Sequence, residues 1–405
     1  MMYLAYQGQD TLIEPFRTMA AASRAVLERM PTPWRALPQS RVMAASLGMV
    51  ERFRLTHARP DFHLPSIRVG NCEVPVREEA VHVAPFGTLL RLAKESEAPQ
   101  PRVLVVAPMS GHFATLLRGT VETLLADHDV YVTDWHNGRD VPLAAGRFGF
   151  DEYVDYIVDF LRVMGPGAHL VAVCQPCVQT LAAAALMAED DDPAQPLSMT
   201  LMAGPIDTRL NPTRVNELAT GKPIEWFRDR LIDTVPAPHR GQGRRVYPGF
   251  VQLLAFMAMN MPRHIRAHRD LFEHLVHGRG EEAEAIKAFY DEYFAVLDLP
   301  DDFYLETVQW IFQEHRLARG VLSHRGRKVD PAAIRRTALL TVEGERDDIC
   351  SIGQTLAAQD LCRSLKPYRK RHHMQVGVGH YGVFSGRKWQ AQVYPLVKNT
   401  ILASE

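Results

Sequence analysis

Three stretches of the chain hold side chains whose types and order suit nucleophilic acyl transfer. The first is His169 to Ala185, HLVAVCQPCVQTLAAAA, where a short apolar run enters Cys174 and an alanine-rich, helix-forming run begins almost at once. A strand that turns tightly into a helix exposes the residue at the turn and aims the helix N-terminus at it. That partial positive charge favours a thiolate, and N–H groups freed at the turn, Gln175 first, can hold an oxyanion. Such turns usually carry small residues two positions either side of the nucleophile; here they are Ala172 and Pro176, and proline suits a first helical turn, where a missing N–H costs little. The second stretch, Glu343-Gly344-Glu345-Arg346-Asp347-Asp348-Ile349, puts acids and a glycine turn after an apolar run. The third, Gln375-Val376-Gly377-Val378-Gly379-His380-Tyr381-Gly382, sets a histidine among glycines. A histidine oriented by a carboxylate can take the proton of a thiol and later return it to a leaving group.

Strands ending at these stretches must position them. Short apolar runs at Arg102–Ala107, Val130–Asp134, His169–Val173, Met199–Ala203, Ala338–Val342 and Met374–Val376 alternate with helical or looped segments, which predicts a mainly parallel sheet covered on both faces. Nucleophile, acid and histidine at successive strand ends follow the order of the α/β-hydrolase fold. Residues 1–60 carry apolar residues at helical spacing and read as an N-terminal helical extension. The period of two over Ser66–Lys94 predicts a strand pair ahead of the main sheet. From Asp207 to Val329 the strand rhythm stops, and helical segments at Phe250–Met261, Glu281–Tyr293 and Phe303–His315 predict a helical cap or lid over the strand carboxyl ends. The expected division is 1–60 extension, 61–206 first part of the core, 207–329 cap and 330–405 second part of the core.

Composition narrows the function classes. The 405 residues carry 46 Lys+Arg against 47 Asp+Glu, a net charge of −1, so no overall field holds a polyanion and nucleic-acid binding is not expected. Five cysteines in a chain of this length read as reduced thiols, not a disulfide framework. Met1–Arg17 lacks the basic-then-apolar pattern of a signal peptide, and no run of about 18 apolar residues occurs, so a cytoplasmic location without a membrane span is expected. The acidic run Glu189–Asp192 and the basic run Arg325–Lys328 read as solvated surface.

Other readings compete at each residue. Strand, cysteine and helix also describe an ordinary buried cysteine; the acid and histidine downstream favour catalysis. Asp347, three residues after Gly344, is preferred as the acid, with Asp348 a loop-capping or surface carboxylate. Cys174 and Cys177 form C-x-x-C, but no second pair stands at zinc spacing and the preceding strands are out of place for a thioredoxin-like module. Cys177, one turn along the helix, reads as packed. The loop Ala107-Pro108-Met109-Ser110-Gly111-His112 is where this fold draws its second oxyanion donor, a backbone N–H at Met109 or Ser110; the Ser110 hydroxyl reads as an ordinary loop serine. Asp134-Trp135-His136 is either a pocket wall or packing. No metal or other cofactor is expected.

These residues resemble the intracellular polyhydroxyalkanoate (poly-3-hydroxybutyrate) depolymerases. The similar stretches run from about 101 to 382: VLVVAPMSGHFATLLRGTVETLL, DVYVTDWHN, VAVCQPCVQTLAAA, LMAGPIDTRLNPT, VEGERDDICSIGQT and VGHYGVFSGRKW, and the N-terminal helices are similar too. The resemblance implies an α/β-hydrolase with a cysteine nucleophile, giving Cys174 as nucleophile, Asp347 as acid and His380 as base, with Cys177 the one oddity. It also implies a storage-granule polyester as substrate and partner, cleaved through a thioester to 3-hydroxybutyrate units or oligomers. Coenzyme A as an alternative acyl acceptor and a second copy of the chain are the other partners this reading admits. The rival readings are a polyester synthase-like acyltransferase, which the absence of glycines flanking Cys174 disfavours, a small-substrate esterase or thioesterase, and a non-catalytic granule-binding protein.

Overall fold

The computed structural model describes residues 2–95 and 99–405. Its main sheet has nine strands: β1 (Ser66–Val69), β2 (Cys72–Ala84), β3 (Gly87–Lys94), β4 (Arg102–Val106), β5 (Asp129–Trp135), β6 (Ala168–Val173), β7 (Ser198–Met202), β8 (Ala338–Gly344) and β9 (Lys370–Gln375), in the order β1-β2-β3-β5-β4-β6-β7-β8-β9. β1, β2, β3 and β5 pair antiparallel, and every pair from β5 to β9 is parallel. The expected strand pair over 66–94 is three strands that extend the main sheet instead of standing ahead of it, because Gly70, at φ 59°, allows an extra tight turn between β1 and β2. The last strand starts four residues earlier than the apolar pattern suggests: β9 is an edge strand reading KRHHMQ, exposed at half its residues, so apolar periodicity does not mark it.

The central strands are apolar throughout because both faces are covered; β6 and β7 are buried at every residue. The helices Phe150–Met164 and Cys177–Glu189 pack on each other, and Tyr394–Leu402 packs on β7 and β8. Cys177–Glu189 is buried at eleven consecutive positions, which its alanines permit by letting neighbours approach closely. Between β7 and β8 lie helices including Gly249–Met259, Met261–His277, Gly280–Tyr293 and Asp301–Glu306, the last continued as a π-helix over Thr307–Gln313, together with a small three-stranded sheet.

The segment Ala295–Pro300 ties these helices to the strand ends. Leu297 N–H donates to the Gly111 carbonyl at 2.9 Å, Gly138 N–H donates to the Asp298 carbonyl at 2.9 Å, and His112 and Val296 form a β-bridge. The helices therefore sit against the loops that follow β4 and β5. Ser323–His324 and Arg327–Lys328 form a hairpin on which the basic run meets the exposed part of the acidic run, Arg327 pairing with Asp190 at 2.7 Å and Glu189 at 2.9 Å. Asp192, expected at the surface, is instead buried, capping the Ala194 N–H and paired with Arg162 at 2.9 Å.

The first helix, Met2–Arg29, is inverted relative to an ordinary amphipathic helix. Its inward face carries Tyr3, whose hydroxyl donates to Asp298 at 2.8 Å, Arg17, paired with Asp10 at 2.6 Å, and Arg24, paired with Glu51 at 2.8 Å. Its apolar residues Leu12, Phe16, Met19 and Val26 point outward. Among the described residues no helix is long and apolar enough to cross a membrane.

Candidate active site

Cys174 closes β6 with φ 66°, in the left-handed region. A non-glycine residue held there stores strain of about 1–3 kcal/mol, so the surroundings must over-determine it. Its N–H donates to the Met202 carbonyl at 2.8 Å, and its own carbonyl accepts from Cys177 N–H at 3.2 Å. Close packing at the turn depends on a residue that the local sequence pattern does not flag. A Cβ at Gly204, just beyond β7, would overlap both the Cβ and Sγ of Cys177. The glycine that lets helix and strand approach thus sits on the neighbouring strand end, which is why Ala172 and Pro176 suffice around the cysteine. Cys177 is fully buried, with its thiol near the Ala172 and Met202 carbonyls, and burial, with Cys174 beside it, raises its pKa well above the ordinary thiol value. It is a packed residue. Cys174 is half-buried, and all five cysteines are free thiols.

Asp347 and His380 come together across the ends of β8 and β9. Asp347 Oδ2 accepts from His380 Nδ1 at 2.8 Å, and Oδ1 accepts from the N–H groups of Ile349 and Cys350 at 2.9 and 2.8 Å, so each carboxylate oxygen is engaged. The carboxylate has no exposed surface. Asp348 is exposed. With Nδ1 given to Asp347, Nε2 is the ring nitrogen left for Cys174, whose thiol is close enough to act on the charge of the ring. Burial opposes charging His380, but the charges of Cys174 and Asp347 and their hydrogen bonds outweigh it, so its pKa lies well above the ordinary imidazole value. The structure thus brings Cys174, Asp347 and His380 together.

The loop carrying Asp347 is braced by Glu343, a fully buried carboxylate that accepts from the N–H groups of Gly353, Thr355 and Leu356. Thr355 links this brace to the nucleophile side: its hydroxyl donates to the Gly204 carbonyl at 3.0 Å and accepts from Gly204 N–H at 2.8 Å. Sequence reasoning found neither Thr355 nor Gly204, since the contacts join residues about 150 positions apart.

Two oxyanion donors were expected, from Gln175 and from Met109 or Ser110. Gln175 N–H makes no hydrogen bond among the described residues. Met109 N–H donates at 3.3 Å to the side-chain oxygen of Gln175, whose Nε2 is buried and unpartnered. The Gln175 carboxamide therefore occupies one expected donor. Ser110 is half-buried, and His112, which could have served it as a base, turns its Nε2 to the Tyr293 carbonyl at 3.1 Å. Burial pushes the His112 pKa down to about 4, so the ring is neutral near pH 7.

The loop hangs from Ala107, whose carbonyl accepts from both Trp135 Nε1 and the Tyr153 hydroxyl at 2.8 Å. Trp135 is buried packing, not a pocket wall; Asp134 is paired with Arg59 at 2.6 Å, and His136 lies within 2.8 Å of the Thr88 hydroxyl. Among the described residues no three His, Cys, Asp or Glu side chains gather at metal-ligating spacing.

The chain matches the family model described as "PHB de-polymerase C-terminus" over residues 203–405, half of its length; the match includes Asp347 and His380 and leaves Cys174 outside. No curated protein sequence matches. Solved structures similar to this chain include 2-hydroxy-6-oxo-6-phenylhexa-2,4-dienoate hydrolase from Rhodococcus sp. strain RHA1, with 13% identity, TM-score 0.43, and 81% of this chain and 99% of that one covered. A monoacylglycerol lipase from Paleococcus ferrophilus has 12% identity, TM-score 0.43, and coverage of 76% and 97%. Mouse alpha/beta hydrolase domain-containing protein 10 has 11% identity, TM-score 0.45, and coverage of 81% and 100%. At such identities the substrates of these proteins say nothing about this one. The strand order and the family match place the chain in the PHB depolymerase family, carboxylic ester hydrolases of the α/β-hydrolase superfamily.

Proposed function

We propose that the protein cleaves the ester bonds of poly-3-hydroxybutyrate in intracellular storage granules, with Cys174 as nucleophile, His380 as general base and acid, and Asp347 as the carboxylate that orients His380. The observation that carries this reading is the buried 2.8 Å Asp347–His380 bond aimed at a cysteine held at φ 66° ahead of a helix N-terminus. His380 Nε2 takes the Cys174 proton, and the thiolate adds to the ester carbonyl. The oxyanion is held by Gln175 N–H and, once the Gln175 carboxamide releases it, by Met109 N–H. As the tetrahedral intermediate collapses, the C–O bond breaks and the imidazolium protonates the leaving alkoxide, leaving a thioester on Cys174. Water, deprotonated by the same nitrogen, attacks the thioester and releases the hydroxy acid and the thiol. The cap helices and the domain division 1–60, 61–206, 207–329 and 330–405 belong to this reading as the frame that meets the polymer.

The test compares amorphous native granules with a short soluble ester, using wild type and Cys174→Ala. Cleavage of both by the wild type and of neither by the variant is expected. Unchanged cleavage by the variant removes Cys174 from the mechanism. Polymer formed from hydroxybutyryl-coenzyme A would replace hydrolysis by a synthase reading, and cleavage of the soluble ester alone would replace the polymer by a small substrate.

A further inference from the structure

The outward face of the Met2–Arg29 helix is free of charge and, apart from Ser23, apolar from Leu12 to Val26. Leu12, Phe16, Met19 and Val26 are 75, 61, 62 and 60% exposed. At about 100° per residue they fall within a sector of roughly 80°. The helix's charged residues, Asp10, Glu14, Arg17, Arg24, Glu28 and Arg29, all lie more than about 90° from the centre of that sector. Rotation of the helix to bury this stripe would break the Arg17–Asp10, Arg24–Glu51 and Tyr3–Asp298 contacts that face inward. The fold therefore holds the stripe in water, where a contiguous apolar surface signals a partner.

The stripe is one flank of a larger apolar face. A groove of about 280 Å³ lies between this helix and Gly249–Met259; its lining is mostly apolar, with Ile13, Phe53, Leu254 and Met257, and also includes Asp10, Arg17 and Arg54. Phe53 and Leu254 are 70 and 64% exposed. The helix Gly249–Met259 also faces the catalytic loop: Phe256 stacks on His112, and Gln252 packs against the Gly111 backbone. One helix, about 10 Å across, thus separates the groove from the loop that carries Met109 and Ser110.

We propose that this face, the Leu12–Val26 stripe with the adjoining groove, is the surface by which the enzyme adsorbs to the solid polyester. The inference rests on the proposed function, which supplies a water-insoluble substrate. It commits to that occupant for two reasons. A sector without a charge matches a polymer that carries none, and the groove continues on the same helix that walls the catalytic loop, where adsorbed chain has to be delivered.

The experiment uses the full chain as Cys174→Ala, so that binding is measured without turnover, and sedimentation with amorphous poly-3-hydroxybutyrate granules. Changing Leu12, Phe16, Met19 and Val26 together to Gln, a good helix former, is expected to weaken partition onto granules at least about tenfold. The same four changes in the Cys174-bearing enzyme should leave kcat/KM on the soluble ester within about twofold, since none of the four touches the relay. Phe16→Gln alone, with helix content followed by circular dichroism, replaces the quadruple variant if that one does not fold. Unchanged partition of the folded variant overturns the proposal. So does a wild-type dimer that becomes a monomer in the variant without loss of partition, because the face then belongs to a second copy. If partition depends on the stripe but the wild type releases no hydroxy acid from granules, the proposed function fails and the adsorbing surface stands.

Discussion

Replacing Asp347 by Asn tests the relay at its most enclosed contact. Asn is isosteric, and its oxygen can keep the Ile349 and Cys350 N–H groups, which hold Oδ1 at 2.9 and 2.8 Å. The amide nitrogen then faces His380 Nδ1. It can only donate, so Nδ1 must become an acceptor and the ring proton moves to Nε2, the nitrogen that has to take the thiol proton. With no exposed surface at the carboxylate, no solvent can repair the tautomer. The same change in a serine triad lowers kcat about 10⁴-fold, which at 1.36 kcal/mol per factor of ten is about 5 kcal/mol of transition-state stabilisation. The pH profile moves too. With the Asp347 charge gone, one of the contributions holding His380 above its ordinary value is lost while burial still acts downward, so the imidazolium loses its proton at lower pH. The acid limb of kcat, where His380 must lose its proton to act as base, therefore shifts to lower pH. The assay is kcat on a soluble ester across about pH 5–9, two units either side of neutrality, with thermal melts to show that the fold is kept. A folded Asp347→Asn enzyme within tenfold of wild type, or a larger loss for Asp348→Asn, refutes the assignment.

Three further outcomes are expected. Gly204→Ala should lower the unfolding free energy by roughly 1–3 kcal/mol, typical of overpacking, through its overlap with Cys177; adding Cys177→Gly should restore most of the loss, and a double-mutant cycle by chemical denaturation reads the coupling. Gln175→Glu should reduce kcat/KM on the soluble ester about a hundredfold or more, because a carboxylate holds Met109 N–H more tightly and repels the oxyanion. Gln175→Ala, which frees that N–H, should be at least as active as wild type, and the opposite order would exclude Met109 as a donor. Asp298 accepts from Gly249 N–H and the Tyr3 hydroxyl, and burial raises its pKa from 3.8 to about 6. A carboxyl raised in the folded state contributes stability that is present below about pH 4 and lost as pH rises through about 6, here up to about 3 kcal/mol. Asp298→Asn should flatten that decline, as measured by denaturant unfolding at pH 4 and 7; an unchanged difference between the two pH values would show that Asp298 does not titrate there.

Much of the fold was legible because the central strands are buried on both faces and so read as short apolar runs, and because a strand running into Cys174 and then an alanine helix is a local pattern. Gly344 and Asp347 in one turn, and His380 among glycines, were local as well. What escaped was set by contacts between distant segments. Nothing near Gly204 announces that Cys177 will press on it. Glu343 reads as one acid among several until its oxygens meet three amides of a loop ten residues on. Lys370–Gln375 hides in charge because an edge strand has a wet face. Leu12, Phe16 and Met19 stood at helical spacing, which marks a helix but not which way it faces; that is decided by Asp10, Arg17, Arg24 and Glu51.

The two bonds accepted by the Ala107 carbonyl have a mechanical meaning. Ala107 N–H also donates to the Thr133 hydroxyl at 2.9 Å, so both backbone polar groups of this residue are pinned, by Thr133 and Trp135 of β5 and by Tyr153 of the helix Phe150–Met164. The loop beyond it works as a beam held at both ends, since the Gly111 carbonyl accepts from Leu297 N–H at 2.9 Å and His112 bridges Val296. On the proposed mechanism the Gln175 carboxamide yields Met109 N–H between these two supports, the second of which is Gly111, whose φ of 91° only glycine adopts freely. Gly111 is also the point where Gln252 of the Gly249–Met259 helix bears on the loop. A load on that helix from outside would therefore reach the loop at Gly111, two residues from Met109, and not at Ala107.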